Sequence, residues 1–215
     1  MGIVFSSIFA KLFGERQVRI LILGLDNAGK TTVVNKLASP DKISRTIPTV
    51  GFQVKEVNYQ NINFSLWDLG GQADIRVFWR HYLCNTDGII YVVDSADRDR
   101  MALARKELFA VLKEVDVEGV YLLVFANKQD QPNAYSDAEV ATALSLETIK
   151  DRQWRICKTV ASDGKGIREG LDWLADALSV KAGWLIAAEM ACSRIIKQDI
   201  YRREASTRNI YWLRG

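Results

Sequence analysis

The sequence predicts an α/β fold: a mostly parallel sheet of six strands with one antiparallel edge hairpin and helices on both faces. Three observations predict it. The stretch Gly24-Leu25-Asp26-Asn27-Ala28-Gly29-Lys30-Thr31 fits the phosphate-binding pattern G-x-x-x-x-G-K-[ST]. It lies between an apolar run of strand length, 18–23, and a segment from Thr32 that reads as the first turns of a helix. Farther on, apolar runs alternate with segments of helical periodicity, the pattern of a parallel sheet with right-handed crossovers.

Each element follows from local pattern. Runs 50–59 and 62–67 are parted only by Gln60-Asn61 and read as the antiparallel hairpin. Residues 41–48 are polar and loop-like, and 72–84 read as a loop with a short helix. The continuous apolar runs 88–94 and 120–126 are typical of strands buried on both faces. Between them, 97–115 has helical spacing through Met101, Ala104, Leu108, Val111 and Leu112. Residues 136–146 read as a helix opened by Ser136, with Glu139 at capping-box distance. A last strand, 154–160, precedes a helix over 165–180 with Ile167, Leu171, Leu174 and Leu178 on one face. The organisation read from this is an amphipathic membrane helix at 1–17, a nucleotide-binding domain at 18–183 and an extension at 184–215.

Composition narrows the function. The chain has 215 residues, 48% apolar and 26% charged, as an ordinary globular domain does. No stretch approaches the apolar length of a membrane-spanning helix. Of 29 basic and 26 acidic residues, six and three fall from Trp184 onward, leaving 23 of each sign before it. A neutral body argues against nucleic-acid binding. Cys84, Cys157 and Cys192 lie far apart and form no metal-type pair, so they read as idle thiols of a reducing compartment.

At the N-terminus, Phe5, Ile8, Phe9, Leu12 and Phe13 share one helix face, with Gly14 as a stop. Met1-Gly2-Ile3-Val4-Phe5-Ser6 fits the N-myristoylation pattern at Gly2. One acyl chain holds a membrane only marginally, so an adjacent apolar face supplies a second contact. The same face could instead dock on the body, and the two states need not exclude each other. A secretory signal fits poorly, because there is no basic n-region.

The chemistry is concentrated at the predicted strand ends. A helix N-terminus presents unpaired N–H groups and a positive dipole end. Asp26, Asn27, Ala28, Gly29, Lys30, Thr31 and Thr32 therefore form the expected phosphate cradle, with Lys30 reaching the β- and γ-phosphates and the Thr31 hydroxyl a Mg²⁺ ligand. In Trp67-Asp68-Leu69-Gly70-Gly71-Gln72, Asp68 can hold Mg²⁺ through water, the Gly71 N–H can meet a γ-phosphate, and Gln72 can orient an attacking water. Thr49 can add a Mg²⁺ ligand when a γ-phosphate is present, which makes its loop a switch. Asn127-Lys128-Gln129-Asp130 matches N-K-x-D. The Asp130 carboxylate accepts two hydrogen bonds, and guanine offers two adjacent donors where adenine does not. The Ala161 N–H, in Thr159-Val160-Ala161-Ser162, can bond guanine O6.

Together, residues 24–32, Ile47-Pro48-Thr49-Val50-Gly51-Phe52, 67–72 and 127–130 resemble the ADP-ribosylation factor (Arf) family of small GTPases. Residues 6–14 and 91–100 are most similar to its Arf-like branch. The resemblance covers about 1–181 and implies the P-loop small-GTPase fold, GTP/GDP and Mg²⁺ as cofactors, and a monomer. It implies a cycle in which GTP shifts the hairpin register and expels the N-terminal helix into a membrane. Exchange factors and GTPase-activating proteins would drive that cycle. Phe52, Trp67 and Tyr82 match the family's aromatic effector triad, and golgin-type coiled-coil effectors at Golgi membranes are the implied partners of an otherwise cytoplasmic protein. Unaided hydrolysis is expected to be slow, since Ile47 stands where heterotrimeric α subunits carry an arginine.

Two departures stand out. Ala38-Ser39-Pro40-Asp41 is one residue longer than the family pattern, with Pro40 placed to end the helix, which puts exchange-factor recognition in question. The tail from Trp184 has no family counterpart. It reads either as an amphipathic helix on anionic lipid or, the favoured reading, as a disordered or non-native extension. A GTP-dependent adaptor with negligible hydrolysis is the alternative to a GTPase switch. An ATP-using P-loop kinase is disfavoured by Asp130 and by the lack of an obvious lid.

Overall fold

The computed structural model describes residues 17–39, 49–60 and 62–180. Residues 1–16 of the expected N-terminal helix, Gly2 among them, the loop 40–48 and the tail 184–215 lie outside the described residues; Gln17, expected to end that helix, instead opens the first strand.

Six strands form one sheet: β1 (Gln17–Leu23), β2 (Phe52–Tyr59), β3 (Ile62–Leu69), β4 (Gly88–Asp94), β5 (Tyr121–Asn127) and β6 (Trp154–Lys158). Their order is β2-β3-β1-β4-β5-β6. Only β2 and β3 pair antiparallel, with Phe52 opposite Leu69 and Tyr59 opposite Ile62; the other pairs are parallel. The chain leaves β1 toward one side and returns from β3 to β4 on the other. The C-terminal end of β1 is therefore the point where strand order reverses, which is where open α/β sheets bind ligands.

Helix α1 (Lys30–Ala38) follows β1, the short α2 (Ala73–Arg76) follows β3, α3 (Met101–Leu112) follows β4 and α4 (Asp137–Ala143) follows β5. A fifth helix, α5, begins at 167 and is helical through 180. The compact unit that carries the sheet ends at Ala175. Among the described residues no helix is long and apolar enough to cross a membrane.

β4 and β5 are buried almost without interruption, which requires cover on both faces. Leu21, Leu23, Tyr91, Val93, Leu122 and Val124 share a core with Met101, Leu108 and Val111 of α3 and Val140 of α4. By the two-residue strand period, Ile20, Ile22, Ile90, Leu123 and Phe125 face the other way, and all are fully buried. There α5 comes so close that a Cβ on Gly170 would stand 2.5 Å from the Phe125 ring. Tyr91 is buried whole, and its hydroxyl donates to the Ala104 carbonyl at 2.8 Å. Ser136 and Glu139 form the expected capping box, side chain to backbone in both directions.

Candidate functional site

At the end of β1 the chain turns through residues 24–29 into α1. Gly29 takes φ +100° at the helix N-cap, and a Cβ there would strike the Asn127 amide. No side chain caps this end of α1, so its N–H groups face outward. They open on a cavity of about 300 Å³ lined by Asp26, Asn27, Gly29, Lys30, Thr31, Thr32, Thr49, Gly71, Gln72 and Lys128. Segments far apart in sequence thus converge on one volume.

Lys30 is 5% exposed, and its ammonium donates to the Leu25 carbonyl at 2.8 Å. Burial pulls its pKa down to about 8, against the attraction of Asp68 and Asp26. A phosphate at Lys30, as the sequence predicts, would favour the charged form. Its binding above about pH 8 would then take up a proton, and affinity is expected to fall as pH rises, by up to about tenfold per unit. The sign for stability is opposite. The folded pKa lies below the ordinary value of 10.5, so between about 8 and 10.5 the unfolded chain holds more protons, and the nucleotide-free fold gains stability with pH. Titrating the GDP dissociation constant from pH 7 to 9 checks the first statement. A flat profile would contradict the desolvation of Lys30.

Three oxygen donors meet beside Lys30. The Thr31 hydroxyl donates to Asp68 Oδ2 at 2.5 Å, the Thr49 hydroxyl to the same oxygen at 3.2 Å, and the two hydroxyls lie 2.9 Å apart. Asp68 is fully buried, and burial raises its pKa. Its Oδ1 has no hydrogen-bond partner among the described residues. Two hydroxyls and a carboxylate with a buried, unsatisfied oxygen fit a hard divalent cation that brings its own waters. No group of three or more His, Cys, Asp or Glu suited to a metal occurs among the described residues, so such a cation would depend on hydroxyls and on a ligand's oxygens.

Gly71 and Gln72 close the cavity. A Cβ on Gly71 would lie 2.5 Å from both Asp26 N and Lys30 Nζ, so only glycine lets β3's exit pass this close. The Gly71 carbonyl accepts from Asp26 N at 3.0 Å and from Arg76 Nε at 2.9 Å. Arg76 also pairs with Glu107 at 2.9 Å, and the buried Trp79 donates to the Gly70 carbonyl at 2.9 Å. Gln72 is the N-cap residue of α2, yet its side chain makes no cap bond, so the amide is uncommitted to the helix.

Behind the cavity, Asn127 stitches loops together. Its Nδ2 donates to the Ala28 carbonyl at 2.8 Å, and its Oδ1 accepts from Ala161 N at 3.0 Å and the Thr159 hydroxyl at 3.2 Å. The Ala161 N–H therefore already has one acceptor, and a bond to a base would share it. Lys128 takes φ +63° and pairs with Asp94 at 2.7 Å. Asp130 stands at the exposed rim, outside the cavity lining, accepting from Gln131 at 3.1 Å.

On the surface, Phe52, Trp67 and Tyr82 form one cluster. The Phe52 and Trp67 rings stack at 5.4 Å, and Tyr82 lies 5.2 Å from Phe52 and 6.3 Å from Trp67. Arg19 lies 4.0 Å over the Trp67 ring and donates to the Tyr82 carbonyl at 2.8 Å. Phe52 is half exposed, as are Val77 and Phe78.

The profile of the ADP-ribosylation factor family matches residues 5–178. The chain belongs to that family. It is 52% identical over 183 residues to ADP-ribosylation factor 1 of Brassica rapa subsp. pekinensis and to ADP-ribosylation factor 3 of Arabidopsis thaliana. Each match covers 85% of this chain and all of the relative. The solved structure of the Arl6 BBS3 small GTPase from Trypanosoma brucei, with bound nucleotide analogue GppNp, superposes with a TM-score of 0.71 at 33% identity. It covers 76% of this chain and 98% of that one. As an Arf-family protein the chain is a GTP-binding switch that hydrolyses GTP to GDP.

Sequence reasoning passed over Arg19, Arg76, Trp79, Asp94 and Arg100 as site residues. Each acts on the site through a contact that only the fold creates. Arg100 was visible only as part of the motif 91–100, and spacing alone does not bring it to residue 26.

Proposed function

We propose that this Arf-family protein is a membrane-cycling switch in which the γ-phosphate is sensed by Thr49 and read out by the aromatic cluster beside it. The observation that carries this is the position of Thr49. Its hydroxyl joins Thr31 and Asp68 at the cavity, and three residues later Phe52 enters the exposed Phe52–Trp67–Tyr82 cluster. A change at the phosphate cannot leave the surface unaltered over so short a tether.

In this reading Thr31, Thr49 and Asp68, the last through water, hold a magnesium ion, which neutralises phosphate charge. The backbone from Asp26 to Thr32, the Lys30 ammonium and the Gly71 N–H hold the phosphates. Asn127, Lys128, Asp130 and the Ala161 N–H hold the base. Gln72 orients water. Unaided hydrolysis is slow and is stimulated by an activating protein, and an exchange factor reloads GTP. Myristate on Gly2 and the amphipathic segment before β1 meet Golgi membranes, where the aromatic cluster recruits golgin-type effectors.

The test is liposome co-sedimentation of the N-myristoylated protein with GDP or GppNp, full length and cut after Gly183. Binding with GppNp only, unchanged by the cut, is expected. Binding in both states that disappears with the cut would replace the cycle with a constitutive anchor in the tail.

A further inference from the structure

Arg100 lies at the N-cap of α3, 74 residues from the phosphate loop, yet its guanidinium is spent on that loop. Nη1 donates to both carboxylate oxygens of Asp26, at 3.0 and 3.1 Å. Nη2 donates to the Asp26 carbonyl at 3.3 Å. Nε donates to Asp97 at 2.6 Å, and the Arg100 N–H to the other Asp97 oxygen at 3.3 Å. The fork therefore grips one residue by side chain and backbone together and is braced from behind by a second carboxylate.

The gripped residue is awkwardly placed. Asp26 lines the phosphate cavity, its N–H bonds the Gly71 carbonyl, and its charge already acts on Lys30. On the reading above, Gly71 and Lys30 are the groups that meet a γ-phosphate. A carboxylate free to turn here would repel that phosphate and compete for Lys30. The repulsion acts on GTP far more than on GDP, whose last phosphate sits one position deeper, while Lys30 serves the β- as well as the γ-phosphate. A half-exposed ion pair contributes little to stability, so the bland expectation for losing Arg100 is a small, nucleotide-independent effect. The shape of the contact suggests more, because a planar fork fixes orientation as well as charge.

We propose that Arg100 is a positioning residue that sets the preference for GTP over GDP by holding the Asp26 carboxylate away from the γ-phosphate. The proposal rests on the guanine-nucleotide reading of the cavity and deepens it.

The experiment measures dissociation constants for fluorescent GDP and GppNp at fixed Mg²⁺ in the wild type and in Arg100→Ala, Arg100→Lys, Asp26→Asn and the Asp26→Asn/Arg100→Ala double variant. Arg100→Ala should weaken GppNp on the order of tenfold and GDP by less than about twofold. Arg100→Lys should fall between, since a point charge cannot span Asp26 and Asp97 at once. Asp26→Asn, which removes the carboxylate facing Nη1 while Asp97 still holds Nε, should raise the GppNp-to-GDP preference. The double variant should return it to the wild-type value.

Equal weakening of both nucleotides in Arg100→Ala would reduce the residue to a structural role. A double variant that keeps the single variant's loss would show that Asp26 is not the cause. Should Arg100→Ala not fold, the opposite signs expected for Arg100→Lys and Asp26→Asn decide the matter, and the reverse order overturns the proposal. A wild type that binds no guanine nucleotide removes the underlying reading as well, whereas normal binding with an unmoved ratio removes this proposal alone.

Discussion

Asp130→Asn is expected to lower GTP affinity on the order of 10³-fold and to turn the preference toward xanthine nucleotides. The carboxylate offers two acceptors to guanine's N1–H and exocyclic amine. An asparagine replaces one acceptor with a donor, leaving donor against donor. Polar groups left unpaired against a bound base cost more than a paired bond contributes. Xanthine carries a carbonyl where guanine carries the amine, so the new amide finds a partner there. The loop that presents residue 130 is fixed independently of it. Gln129 N donates to the Thr159 carbonyl at 3.1 Å, Gln129 Nε2 to the Tyr135 carbonyl at 2.8 Å, and Asn127 ties the loop to Ala28. The exchange therefore changes recognition with little change of shape. Competition between GDP and XDP for the purified variant is the measurement, and unchanged GDP affinity would show that the base pocket lies elsewhere.

The central strands β4 and β5 were legible in the sequence because they are buried on both faces and so read as unbroken apolar runs, whereas the largely exposed β2 was legible only as one arm of a hairpin. Boundaries moved where pairing or side-chain bonds overrode pattern. β3 runs two residues beyond the expected 67, since Asp68 and Leu69 still pair with Gln53 and Phe52. The last strand stops at Lys158 rather than 160: the Thr159 N–H makes the final ladder bond to the Ala126 carbonyl, and Val160 then bridges to Lys165 instead of β5. α3 covers Met101–Leu112 of the expected 97–115. At its start Asp97 bonds the Arg100 N–H and holds 97–100 in a turn, and at its end 115–117 tightens into a 3₁₀ turn.

The site was legible wherever function is carried by contiguous motifs, since a phosphate loop needs its glycines, lysine and threonine at fixed spacing. Its supports were not. Arg100, Arg76 and Arg19 are ordinary surface arginines by composition, and their partners lie 74, 31 and 63 residues away. No periodicity carries such a pairing. The crowding that requires glycine at position 71 is equally invisible, because Asp26 and Lys30 reach it only after β1 and β3 pair in register.

Gln72→Leu is expected to leave GTP bound but to slow partner-stimulated hydrolysis by about 10²- to 10⁴-fold, the span usual for a positioned group acting on the attacking water. The frame around residue 72 explains why the loss should be confined to chemistry. Gly71 is fixed on one side by the Asp26 N–H and on the other by Arg76, which is itself braced by Glu107. Gly70 is fixed by the Trp79 indole. The Gln72 carbonyl accepts from the N–H groups of Ile75 and Arg76 and starts α2 without help from the side chain. Leucine keeps the backbone bonds and a comparable apolar stem, but it is one atom shorter and lacks the amide, which is what would hold a water in line with the γ-phosphate. Single-turnover phosphate release with an activating protein, alongside GppNp affinity, separates the outcomes. Normal stimulated release would refute the role given to Gln72. A parallel loss of GppNp binding would mean that the side chain supports the nucleotide itself, and the assignment of water orientation would then pass to another group lining the cavity.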